Sequence, residues 1–332
     1  MDKSESLPAV SVVMSVYKEP IEWMCLSIDS ILQQTFSDFE FIIVNDCPER
    51  DDNHKVLSDY QLRDHRITII TNEENLGLTK SLNRGLTLAR GKYIARMDAD
   101  DIATEDRFQI QVDYLEKNPH VDLCHSAFEQ IDDAGVHTGD RILNAREKQA
   151  VYLFLLDPIA HPSVMFCRHV LKTRTPLYNE EYRNAQDYEL WSSLYLKGAT
   201  FGYIEKKLLR YRLSKSQITR KESGTQEDNG RRIRRVLIYN YLIQKGCILE
   251  PSFTATEVLD GLKNTSIIFD DIKIKYYVKF LAYFTCARYK GKRFALYYLL
   301  DRDLLFSKLP IYYSLYVLFS SVLKDKWKLM EM

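Results

Sequence analysis

The stretch Lys92-Tyr-Ile-Ala-Arg-Met-Asp-Ala-Asp-Asp101 decides the reading of this chain. Its first half is an apolar strand in which Arg96 is the only charge between Lys92 and Asp98. Its second half sets Asp98, Asp100 and Asp101 together at the strand's C-terminal end. Neighbouring carboxylates repel unless a cation compensates them, so folding alone gives no reason for the cluster. A divalent ion that takes one or two carboxylates plus the oxygens of a bound diphosphate is the compensator this pattern points to. Asp-x-Asp by itself is weak evidence. Asp301-Arg-Asp303 repeats it in a helical-looking segment, where a solvated helix face is the better reading.

Working outward, Val10-Ser-Val-Val-Met-Ser-Val16 is a β-branched run suited to a strand buried on both faces. A helix carrying Trp23, Leu26, Ile28, Ile31 and Leu32 follows, and Phe39 to Val44 is the next strand, closing on Asn45-Asp46. A helix over 53–63, a strand over 67–71, a helix over 78–89 and a strand over 93–97 continue the alternation. That rhythm is the mark of parallel βαβ units. Ligands of such sheets sit beyond the C-terminal strand ends, where both Asp46 and the Asp98 cluster fall. Beyond Asp101 the pattern loosens. Helices are expected over 107–117 and 188–197, with short strands over 121–128, 163–166, 201–204 and 208–213. The polar segment 215–230 reads as a loop or linker, and the chain from Arg231 onward reads as helical.

The 332 residues suffice for a sizeable core, as one large domain plus an appendage. Acidic and basic residues balance at 46 each, which excludes a global field directed at nucleic acid. Cys25, Cys47, Cys124, Cys167, Cys247 and Cys286 contain no Cys-x-x-Cys pair, which argues against a zinc or redox motif and fits a reducing cytoplasm. The N-terminus lacks the features of a signal peptide, and no uninterrupted apolar run approaches ~20 residues. The expected location is cytoplasmic.

Several segments, in order, resemble the family 2 glycosyltransferases of GT-A fold, especially bacterial enzymes of surface-polysaccharide assembly. They are Val12 to Lys18, Ser27 to Phe36, Phe41 to Asp46, Asn75 to Asn83, Ala89 to Asp101, His161 to Phe166, Ala185 to Trp191, and Tyr211-Arg212 with Gln217. The likeness spans about residues 10–220, and its specificity lies in the ordered set. It implies an α/β fold with a GT-A-type, Rossmann-like, mostly parallel sheet flanked by helices, and a C-terminal helical appendage. The expected division is a catalytic domain over 1–220 (nucleotide-sugar half 8–101, acceptor half 102–220) and a helical region over 221–332.

The resemblance also implies roles. Asp100 would bind Mg²⁺ or Mn²⁺, and Asp98 would address the donor ribose or the metal shell. The physics agrees, since a metal ion neutralises a departing diphosphate. For Asp101, capping the helix that begins near Glu105-Asp106-Arg107 stands slightly ahead of joining the metal shell. Asp46 would meet the uracil ring of the donor, against the alternative of an Asx turn. Tyr17 would line the base pocket, and Lys80 would face the diphosphate or simply be a solvated helix face. Asp187 is the expected catalytic base for an inverting transfer; the alternative, which can hold together with it, is an N-cap. The family's Glu-Asp pair reads Gln186-Asp187 here, so any role of the first carboxylate lapses. Glu189 and His161 are expected to be structural. Ser214 stands where many members have histidine, and Arg212 or Lys215 could compensate on the diphosphate.

At the far end, Pro310 to Leu323 is free of charge and is followed by Lys324, Lys326, Trp327 and Lys328. This suits an interfacial helix on the cytoplasmic face of the inner membrane, or a helix packed on the domain. The expectation is a metal-dependent inverting glycosyltransferase. It would move a hexose or N-acetylhexosamine from a UDP-sugar to a polyprenyl-diphosphate-linked saccharide in O-antigen or capsule assembly. Rivals are a sugar-nucleotide nucleotidyltransferase, which would want a Gly-rich basic loop that Val16-Tyr-Lys-Glu-Pro20 lacks, a glycoside hydrolase, and a non-catalytic carbohydrate-binding protein.

Overall fold

The computed structural model describes residues 7–143, 149–154, 156–214, 223–262, 268–269, 274–275 and 278–279. Strands β1 (Val10–Val16), β2 (Phe39–Asn45), β3 (Ile67–Thr71) and β4 (Tyr93–Asp98) alternate with helices α1 (Ile21–Leu32), α2 (Asp51–Arg63) and α3 (Leu78–Leu88). All seven residues of β1 are buried, as a β-branched strand covered on both faces requires. Beyond β4 come β5 (Ile102–Ala103), α4 (Arg107–Lys117), β6 (Leu123–Ile131), β7 (His137–Arg141), β8 (Met165–Cys167), α5 (Gln186–Leu196) and β9 (Phe201–Arg212). Helices α6 (Ser223–Gln244) and α7 (Ala255–Gly261) follow.

One sheet runs in the order β3-β2-β1-β4-β8-β6-β9-β5, with β7 paired to β6. The pairs β3-β2, β2-β1 and β1-β4 are parallel; β8 is antiparallel to both β4 and β6. The GT-A-type α/β fold is therefore present, with its parallel strands concentrated in the first half. The register is set at β1, where Ser15 lies level with Val44 on one side and Asp98 on the other. Three strand ends thus arrive at one edge.

Helix α3 can press on this sheet because it presents Gly85. A Cβ there would stand 2.8 Å from Val13 Cγ1. Gly91, at the entry to β4, has no room either, since a Cβ would lie 2.5 Å from the Ser11 amide nitrogen. The main core joins β1, β2 and β4 to α1 and α4, with Met14, Ile28, Phe41, Met97 and Phe108 fully buried.

Two compact units divide the chain. The first holds residues 1–150 and 158–233, and therefore the whole sheet; the second holds 151–157 and 234–332. Within the second, Phe154 meets Tyr241 edge-on at 5.0 Å, and Tyr239 stacks on Phe253 at 5.8 Å. Thr254 and Glu257 form a capping box that starts α7.

Two expectations change, and two strands are added. Residues 223–230 belong to helix α6 despite glycines at 224 and 230; burial of Ile233, Leu237 and Tyr241 further along the same helix outweighs the weak local propensity. The two late strands are one, β9, whose register against β6 shifts at Ala127. The edge strands β5 and β7 carry too little apolar pattern to be read from sequence. Residues 215–222, Asp301-Arg-Asp303 and the 310–328 segment lie outside the described residues.

Candidate active site

Strand β4 delivers the acidic cluster. Asp98, Asp100 and Asp101 each offer an oxygen, and these oxygens lie within 4.8 Å of one another. The turn is held from two sides. Ser27 Oγ on α1 donates to the Asp98 carbonyl at 2.7 Å. From β9, the Arg212 amide donates to Asp101 Oδ1 at 2.8 Å, and Arg212 Nε donates to the Asp100 carbonyl at 2.9 Å.

Arg212 is 1% exposed, and its guanidinium also reaches the Asp132 carbonyl and lies over Trp23. It is thus built into the frame of the turn and unavailable to a diphosphate. Asp101 is no helix cap. Helix α4 begins at Arg107 after Asp106, whose side chain makes no capping bond. The Asp101 carboxylate instead bridges 111 residues to β9.

A fourth carboxylate, Glu19, closes on this group from the loop after β1, with its Oε2 accepting the Tyr17 amide at 2.7 Å. Burial raises the Glu19 carboxyl, and Asp98 adds to the rise. Burial, then the charges of Asp98 and Glu19, push Asp100 up to about 7. Asp101 is raised well above its ordinary range by burial and by Asp100 and Asp98. So much uncompensated negative charge favours a bound cation. The donor set is oxygen only, and Asp101 Oδ2 is buried without a hydrogen-bond partner among the described residues. Both facts fit a hard divalent ion.

The compensating charge present is Arg96, two residues before Asp98 on the same face of β4. It is 2% exposed and forms an ion pair with Asp98. Sequence reasoning missed Arg96 and Glu19. The period-2 rule would have placed Arg96 beneath Asp98, whereas nothing local flags Glu19.

Asp187 lies in the first turn of α5, after the N-cap residue Ala185. Its Oδ1 accepts the Tyr188 amide at 2.8 Å, so it satisfies a helix N-terminus without being the cap. Burial raises its carboxyl, and the Asp98 charge adds to the rise across 89 positions of sequence. The base candidate and the metal candidates therefore share one electrostatic site.

Neighbouring groups fix the helix. His161 Nε2 and Tyr178 Oη are 2.7 Å apart, and the His161 ring meets Trp191 edge-on at 5.9 Å. Burial holds His161 well below its ordinary pKa, as a structural neutral imidazole. Glu189 is structural too, gripped through both oxygens by Arg174.

The base-pocket candidates sit at the neighbouring strand ends. Tyr17 is half-buried after β1, and its carbonyl accepts from Asn53 Nδ2 at 2.8 Å. Asp46 is 2% exposed. Its carboxylate accepts from Asn72 Nδ2 at 2.7 Å and from the amides of Leu76 and Gly77 at 2.8 and 2.9 Å. Asp46 thereby clamps the loop that opens α3, a role richer than an Asx turn. Gly77 needs its φ of +82°, and a Cβ there would stand 3.1 Å from the Arg183 guanidinium. Lys80 is exposed in the first turn of α3. Ser214 is buried.

Residues 11–174 match the sequence profile of Glycosyl transferase family 2. An uncharacterized glycosyltransferase of Methanocaldococcus jannaschii is 39% identical over 220 residues, covering 64% of this chain and 72% of the relative. An uncharacterized glycosyltransferase of Haemophilus influenzae is 34% identical over 251 residues, 73% of this chain and 77% of the relative. Among solved structures, S. aureus TarS 1–349 in complex with UDP-GlcNAc is similar with a TM-score of 0.58 over 94% of this chain and 90% of that one. At 16% identity that likeness concerns the fold.

Proposed function

The chain belongs to the family 2 glycosyltransferases, and from that premise we propose a metal-dependent, inverting transfer of a hexose or N-acetylhexosamine from a UDP-sugar to a saccharide hydroxyl. The observation that supports this reading is the acidic 98–101 turn at the end of β4, whose Asp98 charge also acts on Asp187 in the first turn of α5. Asp98 and Asp100 would hold Mn²⁺ or Mg²⁺. When bound, such an ion neutralises the charge that builds on the departing diphosphate.

The protein's own residues do the rest. Tyr17 and the loop clamped by Asp46 form the wall for the base, Asp98 addresses the ribose, and Lys80 stands on the diphosphate side. Asp187 accepts the proton of the acceptor hydroxyl. The freed oxygen forms its bond to the anomeric carbon on the face opposite the nucleotide, and the C–O bond to the diphosphate breaks with its electron pair. Burial raises the Asp187 carboxyl, which makes it a stronger base than an ordinary surface aspartate. A donor of the kind bound in the TarS complex is the first to test.

The proposed acceptor is a polyprenyl-diphosphate-linked saccharide of O-antigen or capsule assembly. Catalysis would then take place at the cytoplasmic face of the inner membrane, with the protein attached peripherally. No described helix is long and apolar enough to cross a membrane. The proposed catalytic domain is 1–220 and the helical region 221–332. The test is a screen of nucleotide sugars with Mn²⁺ and a synthetic diphosphate-lipid saccharide. Transfer from one UDP-sugar is expected; no transfer from any donor would refute the assignment.

A further inference from the structure

The strongest unexplained group in the molecule is Arg96. It stands inside β4 between the fully buried Ala95 and Met97. Nε, Nη1 and Nη2 are all buried, and none makes a directional hydrogen bond among the described residues. Among the described residues its one ion pair is with Asp98. A buried guanidinium whose polar partner among the described residues is a single carboxylate is costly, so its charge must have a use that packing does not supply. The charge also acts beyond Asp98: it partly offsets the burial and carboxylate repulsion that raise Asp100, Asp101 and Asp187, and it adds to the burial that holds His161 neutral.

We propose that Arg96 is a built-in countercation that occupies Asp98 and keeps the cluster's affinity for a divalent ion low until a nucleoside diphosphate is present. This rests on the reading that the 98–101 turn takes a metal together with the donor diphosphate. An ion arriving alone must share Asp98 with Arg96 and sit against a fixed positive charge. A diphosphate brings further oxygens and the negative charge that offsets Arg96. Metal and nucleotide then bind as a pair, and neither is held firmly without the other.

The test is calorimetric titration of the full chain with Mn²⁺, with and without UDP. In the parent, UDP should tighten Mn²⁺ binding at least roughly tenfold, and Mn²⁺ should tighten UDP by the same factor, as linkage requires. In Arg96→Met, removal of one charge beside a divalent ion should tighten Mn²⁺ binding to the nucleotide-free protein by about tenfold or more. The enhancement by UDP should shrink accordingly. Arg96→Lys keeps the charge and should bind Mn²⁺ like the parent.

A folded Arg96→Met protein whose Mn²⁺ affinity is unchanged or weaker overturns the proposal. If that variant fails to fold, Arg96→Gln carries the same expectation, and the parent alone still decides, since an enhancement by UDP below about twofold overturns it. Absence of Mn²⁺ binding by the parent even with UDP is a distinct result. It removes the metal reading of the site, and the role of Arg96 with it.

Discussion

Asn83 and Tyr178 stand 95 residues apart in the chain and exchange two hydrogen bonds. Asn83 Nδ2 donates to the Tyr178 carbonyl at 2.9 Å, and the Tyr178 amide donates to Asn83 Oδ1 at 2.9 Å. One carboxamide thus mimics a strand partner and ties α3, which follows the loop clamped by Asp46, to the segment leading into α5 and Asp187. Asn83→Ala leaves a buried N–H and C=O without partners. The expected loss is about 2–4 kcal/mol in urea unfolding, because each orphaned buried group costs roughly 1–3 kcal/mol. A loss below about 1 kcal/mol would mean that water replaces the amide.

Asp187→Asn keeps the size of the side chain and its acceptor oxygen for the Tyr188 amide while removing the base. Turnover should fall by about 10²–10⁴ or more with UDP affinity unchanged. Weaker UDP binding in a folded variant would mark Asp187 as structural. In the parent, the base is lost as pH falls, so turnover should decline on acidification through a midpoint above the ordinary aspartate range, in the direction burial shifts it.

Gly77→Ala and Gly135→Ala separate strain from function. Both glycines have positive φ, +82° and +79°, but only Gly77 meets a neighbour, the Arg183 guanidinium. Each substitution should cost about 1–2 kcal/mol from the left-handed backbone alone. Only Gly77→Ala should also weaken UDP binding, because it displaces the loop that Asp46 clamps. Equal UDP affinities in the two variants would detach that loop from the donor.

His125 supplies a linkage test away from the site. It is 1% exposed, its Nε2 has no hydrogen-bond partner among the described residues, and burial lowers its pKa to about 3. Below the unfolded value near 6.5 the unfolded chain takes up a proton that the native state refuses, so the parent loses stability as pH falls. His125→Leu removes this term. Between pH 6.5 and 4.5 the parent should lose up to about 1.4 kcal/mol per pH unit relative to the variant. Parallel stability curves would show that His125 titrates in the fold.

The parallel half of the fold was legible because its strands are long apolar runs and its helices show a clear period. Phe39–Asn45 and Tyr93–Asp98 needed only burial on both faces to be read. The second half joins one parallel pair, β6-β9, to short antiparallel pieces: Ile102–Ala103 pairs with residues on β9 far away in sequence, and His137–Arg141 is a polar hairpin strand without an apolar pattern. The site divides in the same way. Asp98 and Asp100 announce themselves through local crowding. Asp101 was misread because a cap is a local explanation, while its partner Arg212 lies on the last strand. The clamp that Asp46 places on Leu76 and Gly77 was invisible for the same reason.

The alignment of Ser15 with Val44 and Asp98 has one further consequence. Tyr17, Asp46 and Asp98 have no independent coordinates; their spacing is measured out from a single buried origin on β1. A one-residue slip there would shift Tyr17 by ~3.3 Å and turn it to the opposite face. Changes within β1 would recalibrate every contact at once.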